Sequence, residues 1–519
     1  MTPLRLGDRG VLVELLQRLL RRLGVFSRTV DGVFGEATAR AVQAWQGQRG
    51  LEKDGVVGPK TWQSLRAIAL PAELTEPSCV LQIQRVLGGE GFYKAGVNGI
   101  FSEAVWLALE RWSWILLWGE WRASWDALAA LPAVATYVRW SRGDRVYVRA
   151  QFEQRQMALW KKGRISSERL SFLDRGIPPA KGVTFQGAQL IPAITAQART
   201  KQIPANAYPA LGVLPTIAEG KLAFLVPQVT QACVAVTDLS SGTPSVRWLG
   251  RDALGAVQFW SATKFLPVLY VIQQSNRQAI GIPADQWQVV STGTSYPFTD
   301  LINGVVRYDH SLSSNRLAVM FKLFATPLAL EQWVRSLTGN SALSFQGGYG
   351  EPPALPHPLL LDRHTGHVLL KSQKLSHQGQ NLLSAYDLVR CFSLISLHHY
   401  LLPRDRLPGI QWHSLQHLVT ALGYDPARYL DVAIANLAFS PRHSSGVILS
   451  KMGFGFSNQR QQTELCYLAY WQPEPARGLY MALRACCRLG NHEREAVTLD
   501  ALMVAEVLEL CRLFLADSL

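Results

Sequence analysis

Apolar positions recur along this chain with two periods, and each predicts its own kind of element. Leu12, Leu15, Leu16, Leu19, Leu20 and Leu23 fall at helical spacing and so gather on one face of a helix. A loop, Val30-Asp31-Gly32-Val33-Phe34-Gly35, leads into a second helix carrying Ala37, Ala41, Val42 and Trp45. The stretch Asp54-Gly55-Val56-Val57-Gly58-Pro59 repeats that loop chemistry before Thr61-Trp62. Two Asp-Gly turns therefore prepare two short helices. Farther along the texture changes to strand. Cys233 to Leu239 runs into Ser240-Ser241-Gly242 and returns through Val246 to Leu249, a hairpin pattern. Phe259 to Ile272 reads as a helix, Val447 to Gly455 as a strand ending in a KxG triplet, Thr463 to Trp471 and Gly478 to Arg488 as two more strands, and Ala496 to Leu515 as a terminal helix.

The first unit has a partial copy. Gln17-Arg18 recurs as Gln84-Arg85, Asp31-Gly32 as Asn98-Gly99, Phe34 as Phe101, Glu36-Ala37 as Glu103-Ala104 and Trp45 as Trp112, every pair 67 positions apart (98 − 31 = 67). One offset shared by five anchor points predicts duplication of a small domain. Residue by residue, Asp31, Gly32 and Phe34 read as turn and core positions, and Trp45 and Trp112 as buried helix positions. Prolines 178, 179, 192, 204, 209 and 215 thicken before the strand-rich part and mark a linker. The expected domains are 1–70, a degenerate repeat at 75–126, a basic, aromatic and Pro-rich connecting region at 127–220, and a larger domain at 221–519.

At 519 residues and 48% hydrophobic, the chain can bury several cores, which excludes disorder as its dominant state. Fifty-two Lys and Arg against 38 Asp and Glu give a charge of +14, so anionic polymers or surfaces are the expected partners. The seven cysteines stand in no CxxC or Cys/His ligand spacing, so neither a disulfide framework, a metal site nor another cofactor is expected. Neither a signal peptide nor a membrane span is legible; the apolar stretch from Val105 to Trp125 is interrupted by Glu110, Arg111, Glu120 and Arg122. Eight Lys and Arg between Arg139 and Arg164, interleaved with Tyr137, Trp140, Tyr147, Phe152 and Trp160, could track a nucleic-acid backbone. A solvated basic helix face is favoured over nucleic-acid binding, because no nucleic-acid fold signature accompanies the charge.

Chemistry concentrates in the second half. Ser261 and Lys264 lie three apart and share a face if that run is helical. A serine hydroxyl becomes a nucleophile when a neighbouring base takes its proton, and a desolvated lysine can serve as that base. Downstream come an SxN triplet at Ser313 and Asn315 and a KxG triplet at Lys451 and Gly453. The three elements in this order are far more specific than any one alone.

QRLLRRLG followed by DGVFGEATARAVQAWQ and DGVVGPKTWQSL resembles the three-helix peptidoglycan-binding domain of cell-wall hydrolases, closely over residues 5–66 and more loosely over 77–114. The resemblance implies an all-α module that holds wall glycan or stem peptide. A net +5 over residues 1–70, eleven Lys and Arg against six Asp and Glu, suits carboxylate-bearing stem peptides. Residues 225–519 resemble the class A β-lactamase and penicillin-binding serine hydrolase superfamily. That resemblance implies an α/β fold, an antiparallel sheet with helices. In it Ser261 forms the acyl-enzyme, Lys264 moves the proton, Ser313 relays a proton to the leaving nitrogen and Asn315 orients Lys264 and substrate. Lys451 sets the pocket's electrostatics, and Gly453 and Phe454 bind substrate, with the backbone N–H groups of Ser261 and Phe454 as oxyanion hole, one such donor being worth ~3 kcal/mol.

Two departures stand out. Met452 occupies a position where the family has Thr or Ser, which removes a hydroxyl expected to bind the substrate carboxylate. Glu351, within Gly350-Glu351-Pro352-Pro353, sits where the base for deacylation would be sought, but lacks the expected asparagine after it; a surface-loop carboxylate is the other reading. The function expected is a peptidoglycan-associated serine hydrolase opening β-lactams or related acyl substrates. A D-alanyl-D-alanine peptidase or penicillin-binding protein, or a catalytically silent wall-binding protein, are the alternatives. Such a function expects the periplasm or cell envelope, while the absence of a visible leader leaves the cytoplasm open.

Overall fold

The computed structural model describes residues 3–116, Arg149 and 207–519, less 23–24, 27, 29–30, 70–75, 90, 309, 438–446, 475 and 516–518. The basic stretch 139–164, apart from Arg149, and nearly all of the connecting region lie outside the described residues. The chain divides into two compact units with a break after residue 152.

The N-terminal unit is all-α. Helices α1 (Val11–Arg22), α2 (Glu36–Gln48), α3 (Pro59–Ala69), α4 (Pro77–Gly89) and α5 (Glu103–Leu116) enclose a single core containing Leu16, Leu19, Trp45, Trp62, Trp106 and Trp112. The first three helices and the later pair thus share one interior, with Trp62 and Trp106 meeting edge to face at 6.1 Å between ring centroids. A buried glutamine organises each turn. Gln17 donates to Asp31 Oδ1, Val33 O and Thr38 Oγ1, while its carbonyl accepts from the Asp31 and Gly32 N–H groups. Gln46 repeats the pattern with Asp54, Val56, Thr61 and the Gly55 N–H. Gln84 repeats it again with Asn98, Ile100 and the Asn98 and Gly99 N–H groups. Gly32, Gly55 and Gly99 all have positive φ, so the amide can reach inward only where a Cβ is absent or strained. Gln17 and Gln84 stand at the 67-residue offset; Gln46 belongs to the same device, and only the structure reveals it.

The C-terminal unit is α/β. Strands β1 (Ile217–Glu219), β2 (Val229–Asp238), β3 (Ser245–Arg251), β11 (Val447–Ser457), β12 (Gln462–Glu474) and β13 (Arg477–Cys487) form a six-stranded sheet in the order β1-β3-β2-β13-β12-β11. All its pairings are antiparallel except β1 with β3. The β2–β3 hairpin, the β12 and β13 strands and the terminal helix agree with the sequence patterns. Residues 207–219, assigned by their prolines to the connecting region, are packed instead: Tyr208 bonds Ser393, and Arg390 donates to Pro209 O and Ala210 O. The strand carrying Lys451 does not end at the KxG triplet but runs on to Ser457.

Between the two halves of the sheet comes a helical layer. It holds α6 (Phe265–Gln278), α7 (Phe298–Arg307), α8 (Ser314–Lys322), α9 (Pro327–Thr338), α10 (Ala385–Ser396), α11 (Trp412–Gly423) and α12 (Tyr429–Leu437); α13 (His492–Leu515) closes the chain. Helices α6 and α10 are buried along most of their length and share one core with the inner sheet residues Cys233, Leu468 and Tyr480. Two strands ahead of the SxN triplet, Trp287–Ser291 (β5) and Thr294–Pro297 (β6), join two from the long interval after it, Leu359–Asp362 (β8) and Val368–Lys371 (β9), in a small four-stranded sheet of order β6-β5-β8-β9; Val257–Gln258 (β4), Ser344–Phe345 (β7) and Asn381–Leu383 (β10) make a three-stranded sheet of order β4-β10-β7. No single helix among the described residues is long and apolar enough to cross a membrane. The seven cysteines are all free thiols. Among the described residues no group of three His, Cys, Asp or Glu could hold a metal ion.

Candidate active site

Ser261 follows a strained residue. Trp260 has φ of 50°, a left-handed conformation that a bulky L-residue adopts only when its surroundings impose it. They do: its indole N–H donates to Glu464 Oε2 at 2.9 Å, and its ring lies where a Cβ on Gly455 would come within 2.5 Å. Glu464 is fully buried and paired with both Arg460 and Arg484. Ser261 therefore sits on a 3-10 turn, Trp260–Thr263, closed by the Lys264 N–H to Ser261 O at 3.2 Å, and α6 begins only at Phe265. The expected helix-start serine is a 3-10 serine, still one turn before Lys264.

The KxG strand presses directly on this turn. A Cβ on Gly453 would lie 2.3 Å from Phe259 O and 2.9 Å from the Ser261 nitrogen. Alternation along the strand then puts Lys451, Gly453 and Gly455 on the face toward Ser261, and Met452, Phe454 and Phe456 on the other. Strand β11 is an edge strand of the sheet. The Met452 N–H leaves that edge to reach Asp425 Oδ2 at 3.1 Å, so the Phe454 N–H, two residues on, leaves the same edge beside Ser261.

Two lysines converge here, both buried: Lys264 is 2% exposed and Lys451 fully enclosed. Burial first, and the nearby charge of Lys451 second, hold the Lys264 amine well below the ordinary lysine range, with Glu351 opposing them. Lys264 Nζ donates to Ser314 Oγ at 2.6 Å. Lys451 Nζ donates to the Tyr308 hydroxyl, which has Ser261 as a neighbour, and the same amine lies 3.8 Å from Asp425 Oδ1. Asp425 is buried and pushed up to about 6 by that burial, with Lys451 pulling the other way. Tyr308 is a second non-glycine residue in the left-handed region, φ 60°, at the C-terminus of α7. Its phenol is raised by burial and so holds its proton at neutral pH.

Ser261, Lys264, Lys451, Gly453 and Phe454 are thus brought together, but Ser313 and Asn315 stand differently from expectation. Ser313 caps α8, accepting from the Arg316 N–H at 3.2 Å, and its hydroxyl donates to Glu351 Oε2 at 2.6 Å. Asn315 Nδ2 donates to Glu351 Oε1 at 2.7 Å. Neither bonds a lysine. A serine that caps a helix turns its oxygen back to the first-turn N–H groups, so the next residue, Ser314, faces Lys264. The hydroxyl that Lys451 meets beside Ser261 belongs to Tyr308, five residues before Ser313. Among Tyr308, Ser311, Ser313 and Ser314, spacing marks only the Ser313-Asn315 pair; the α7 C-terminus selects Tyr308, and no periodicity announces it. Glu351 meets the site through Ser313 and Asn315, whose two donors fix both carboxylate oxygens.

Comparison with known proteins matches residues 9–65 to the peptidoglycan binding domain family. A protein from the bpoA1 3' region of Kitasatospora aureofaciens is 46% identical over 59 residues, 11% of this chain and 50% of its own length. The spore cortex-lytic enzyme of Halalkalibacterium halodurans is 43% identical over 54 residues, 10% of this chain and 16% of the enzyme. The chain spans half or less of the curated relatives it matches. Among solved structures, TLA-1 and TLA-3 extended-spectrum β-lactamases each align with 57% of this chain and 96% of their own, at 11% identity and TM-scores of 0.39 and 0.38. A Burkholderia AP3 phage endolysin aligns with 17% of this chain and 33% of its own, at 36% identity and a TM-score of 0.12. The N-terminal segment of this chain carries a peptidoglycan-binding domain.

Proposed function

We propose that the C-terminal unit is a serine acyl hydrolase that works on peptidoglycan-related or β-lactam substrates while the N-terminal domain holds the wall polymer. The observation that carries this reading is the pair of buried lysines converging beside Ser261, one of them bonded to the Tyr308 hydroxyl. Lys264, whose charged form burial disfavours, takes the Ser261 proton, with Ser314 holding its amine in place. Ser261 Oγ attacks the substrate carbonyl, and the Ser261 and Phe454 N–H groups receive the developing oxyanion. Tyr308, polarised by Lys451, passes its proton to the departing nitrogen and recovers one from the Lys264 ammonium, the part that the resemblance assigned to Ser313. Glu351 then accepts a proton from water as that water attacks the acyl carbonyl, with Ser313 and Asn315 as its orienting donors. Tethering raises the effective concentration of wall substrate.

A penicillin probe incubated with the protein should acylate Ser261, with a mass increment on its peptide that vanishes in Ser261→Ala; no adduct, or an unchanged adduct in the variant, defeats the reading. Met452 is 1% exposed and offers no hydroxyl for a substrate carboxylate, whether that of a β-lactam or of a D-Ala-D-Ala terminus, and so favours the reading of a catalytically silent wall-binding protein. Within the hydrolase chemistry a D-alanyl peptidase is the alternative, and nitrocefin turnover set against release of D-alanine from a D-Ala-D-Ala peptide separates it from a β-lactamase. No turnover of either, with wall binding kept in a Ser261→Ala, Lys264→Ala double variant, would leave a wall-binding protein only.

A further inference from the structure

Helix α8 ends on a lysine that has no exposed surface at all. Lys322 Nζ makes three hydrogen bonds, to Phe345 O at 3.0 Å, Gly347 O at 2.7 Å and Asn381 Oδ1 at 2.8 Å. Three acceptors match the three donors of an ammonium group, while burial pulls the amine well below the ordinary lysine range with Glu331 opposing it. The Phe345 ring centroid lies 3.6 Å from the amine nitrogen. Asn381 continues the clamp by donating from Nδ2 to Gly348 O at 2.8 Å, and the Gly347 N–H donates to Gln380 O. Glu331, whose Oε2 accepts from the Phe345 N–H, holds the segment from its other end. The backbone of 345–348 is therefore fixed almost atom by atom, and Tyr349 and Glu351 follow it directly. Tyr349 packs its ring between Lys322 and Lys264, 5.5 and 5.7 Å from the two amines, and its hydroxyl bonds Thr263 Oγ1 at 3.0 Å, on the turn that bears Ser261.

We infer that Lys322 is a positioning residue for deacylation: it fixes the 345–351 segment, with Tyr349 as the brace to the Ser261 turn, and so sets where the Glu351 carboxylate meets the attacking water. This rests on the acyl-enzyme reading above and assigns it a part that touches neither substrate nor nucleophile. The clamp acts after acylation, because Ser261, Lys264, Tyr308 and Lys451 are held by elements other than 345–348.

The test separates the two half-reactions with a penicillin probe on the full chain, following adduct formation and adduct loss by mass spectrometry. In Lys322→Met, a displacement of Glu351 by about 1 Å should slow adduct loss ~100-fold while adduct formation stays within about threefold. Asn381→Ala, which loosens the same clamp more gently, should show the same split to a smaller degree, and it decides the matter if Lys322→Met does not fold. In a Glu351→Gln background, Lys322→Met should slow adduct loss no further, since a residue acting through Glu351 has nothing left to position. Adduct loss at the parent rate in both variants, slowing that multiplies with Glu351→Gln, or equal loss of both half-reactions would overturn the inference and leave the hydrolase reading standing. A parent protein that forms no Ser261 adduct would overturn both.

Discussion

Replacing Gly453 by alanine puts one methyl group against the backbone of the nucleophile turn. The added Cβ would lie 2.3 Å from Phe259 O, 2.8 Å from the Ala262 nitrogen and 2.9 Å from the Ser261 nitrogen. All three are main-chain atoms, so no side chain can rotate away. Ordinary contact starts near 3.4 Å, and relief therefore needs the turn and strand β11 to part by roughly 1 Å. Overpacking of this kind typically costs about 1–3 kcal/mol of stability. The same gap separates the Ser261 and Phe454 N–H groups, and a misplacement of about 1 Å costs ~100-fold in rate, or ~2.7 kcal/mol of barrier. Gly453→Ala should therefore acylate with a penicillin probe about 100-fold more slowly than the parent, measured by quenched time points and mass spectrometry. Thermal denaturation should show the folded state lowered but intact. Acylation within about twofold of the parent would refute the placement of the oxyanion donors between strand and turn.

Removing the Tyr308 hydroxyl in Tyr308→Phe should slow acylation by ~10²- to 10⁴-fold, whereas Ser313→Ala should leave acylation nearly unchanged and slow adduct loss; the reverse pattern in the same assay would return the relay to Ser313. Acylation should rise with pH as Lys264 loses its proton and then level off well below the ordinary lysine range, because burial and Lys451 disfavour its charged form; a rise continuing up to pH 10 would contradict a desolvated base. The linked stability has a definite sign: the unfolded chain binds the Lys264 proton more tightly than the folded one. The unfolding free energy of the parent relative to Lys264→Met should therefore increase as pH climbs from neutrality toward 10.5, which denaturant midpoints across that range would test. In the N-terminal unit, Gln17→Leu strands the Asp31 and Gly32 N–H groups, at about 1–3 kcal/mol for each group left buried. Its retention on sedimented peptidoglycan should fall while Ser261 acylation holds, and undiminished retention would remove the glutamine clamp from the binding fold.

Periodicity and composition by themselves determined the class of both units here. Leucines at helical spacing can be buried together only on one face of a helix, and the apolar run from Cys233 to Val236 ahead of a turn suits a strand covered on both faces, so local pattern suffices for these elements. The 67-residue offset was legible for the same reason, since a repeated core needs repeated core residues. Ser261, Lys264 and Lys451 were legible because their chemistry is written in fixed short spacings. The relay was not. Ser313 carries the motif, yet helix α8 needs a cap, and a capping side chain turns back on its own helix instead of outward to Lys264. Which hydroxyl meets Ser261 depends on where α7 ends and on the left-handed turn that aims Tyr308, a matter of packing between segments far apart in sequence. Glu351 shows the same division. Its identity could be proposed from Gly350-Glu351-Pro352, but its place is set by Ser313 and Asn315 on one side and by the Lys322 clamp on the other. A charge three-quarters of the way along one helix rotation or hidden under a loop leaves no period in the chain; only the tertiary structure brings together groups 50 to 190 residues apart and removes the water that would otherwise level their acidities.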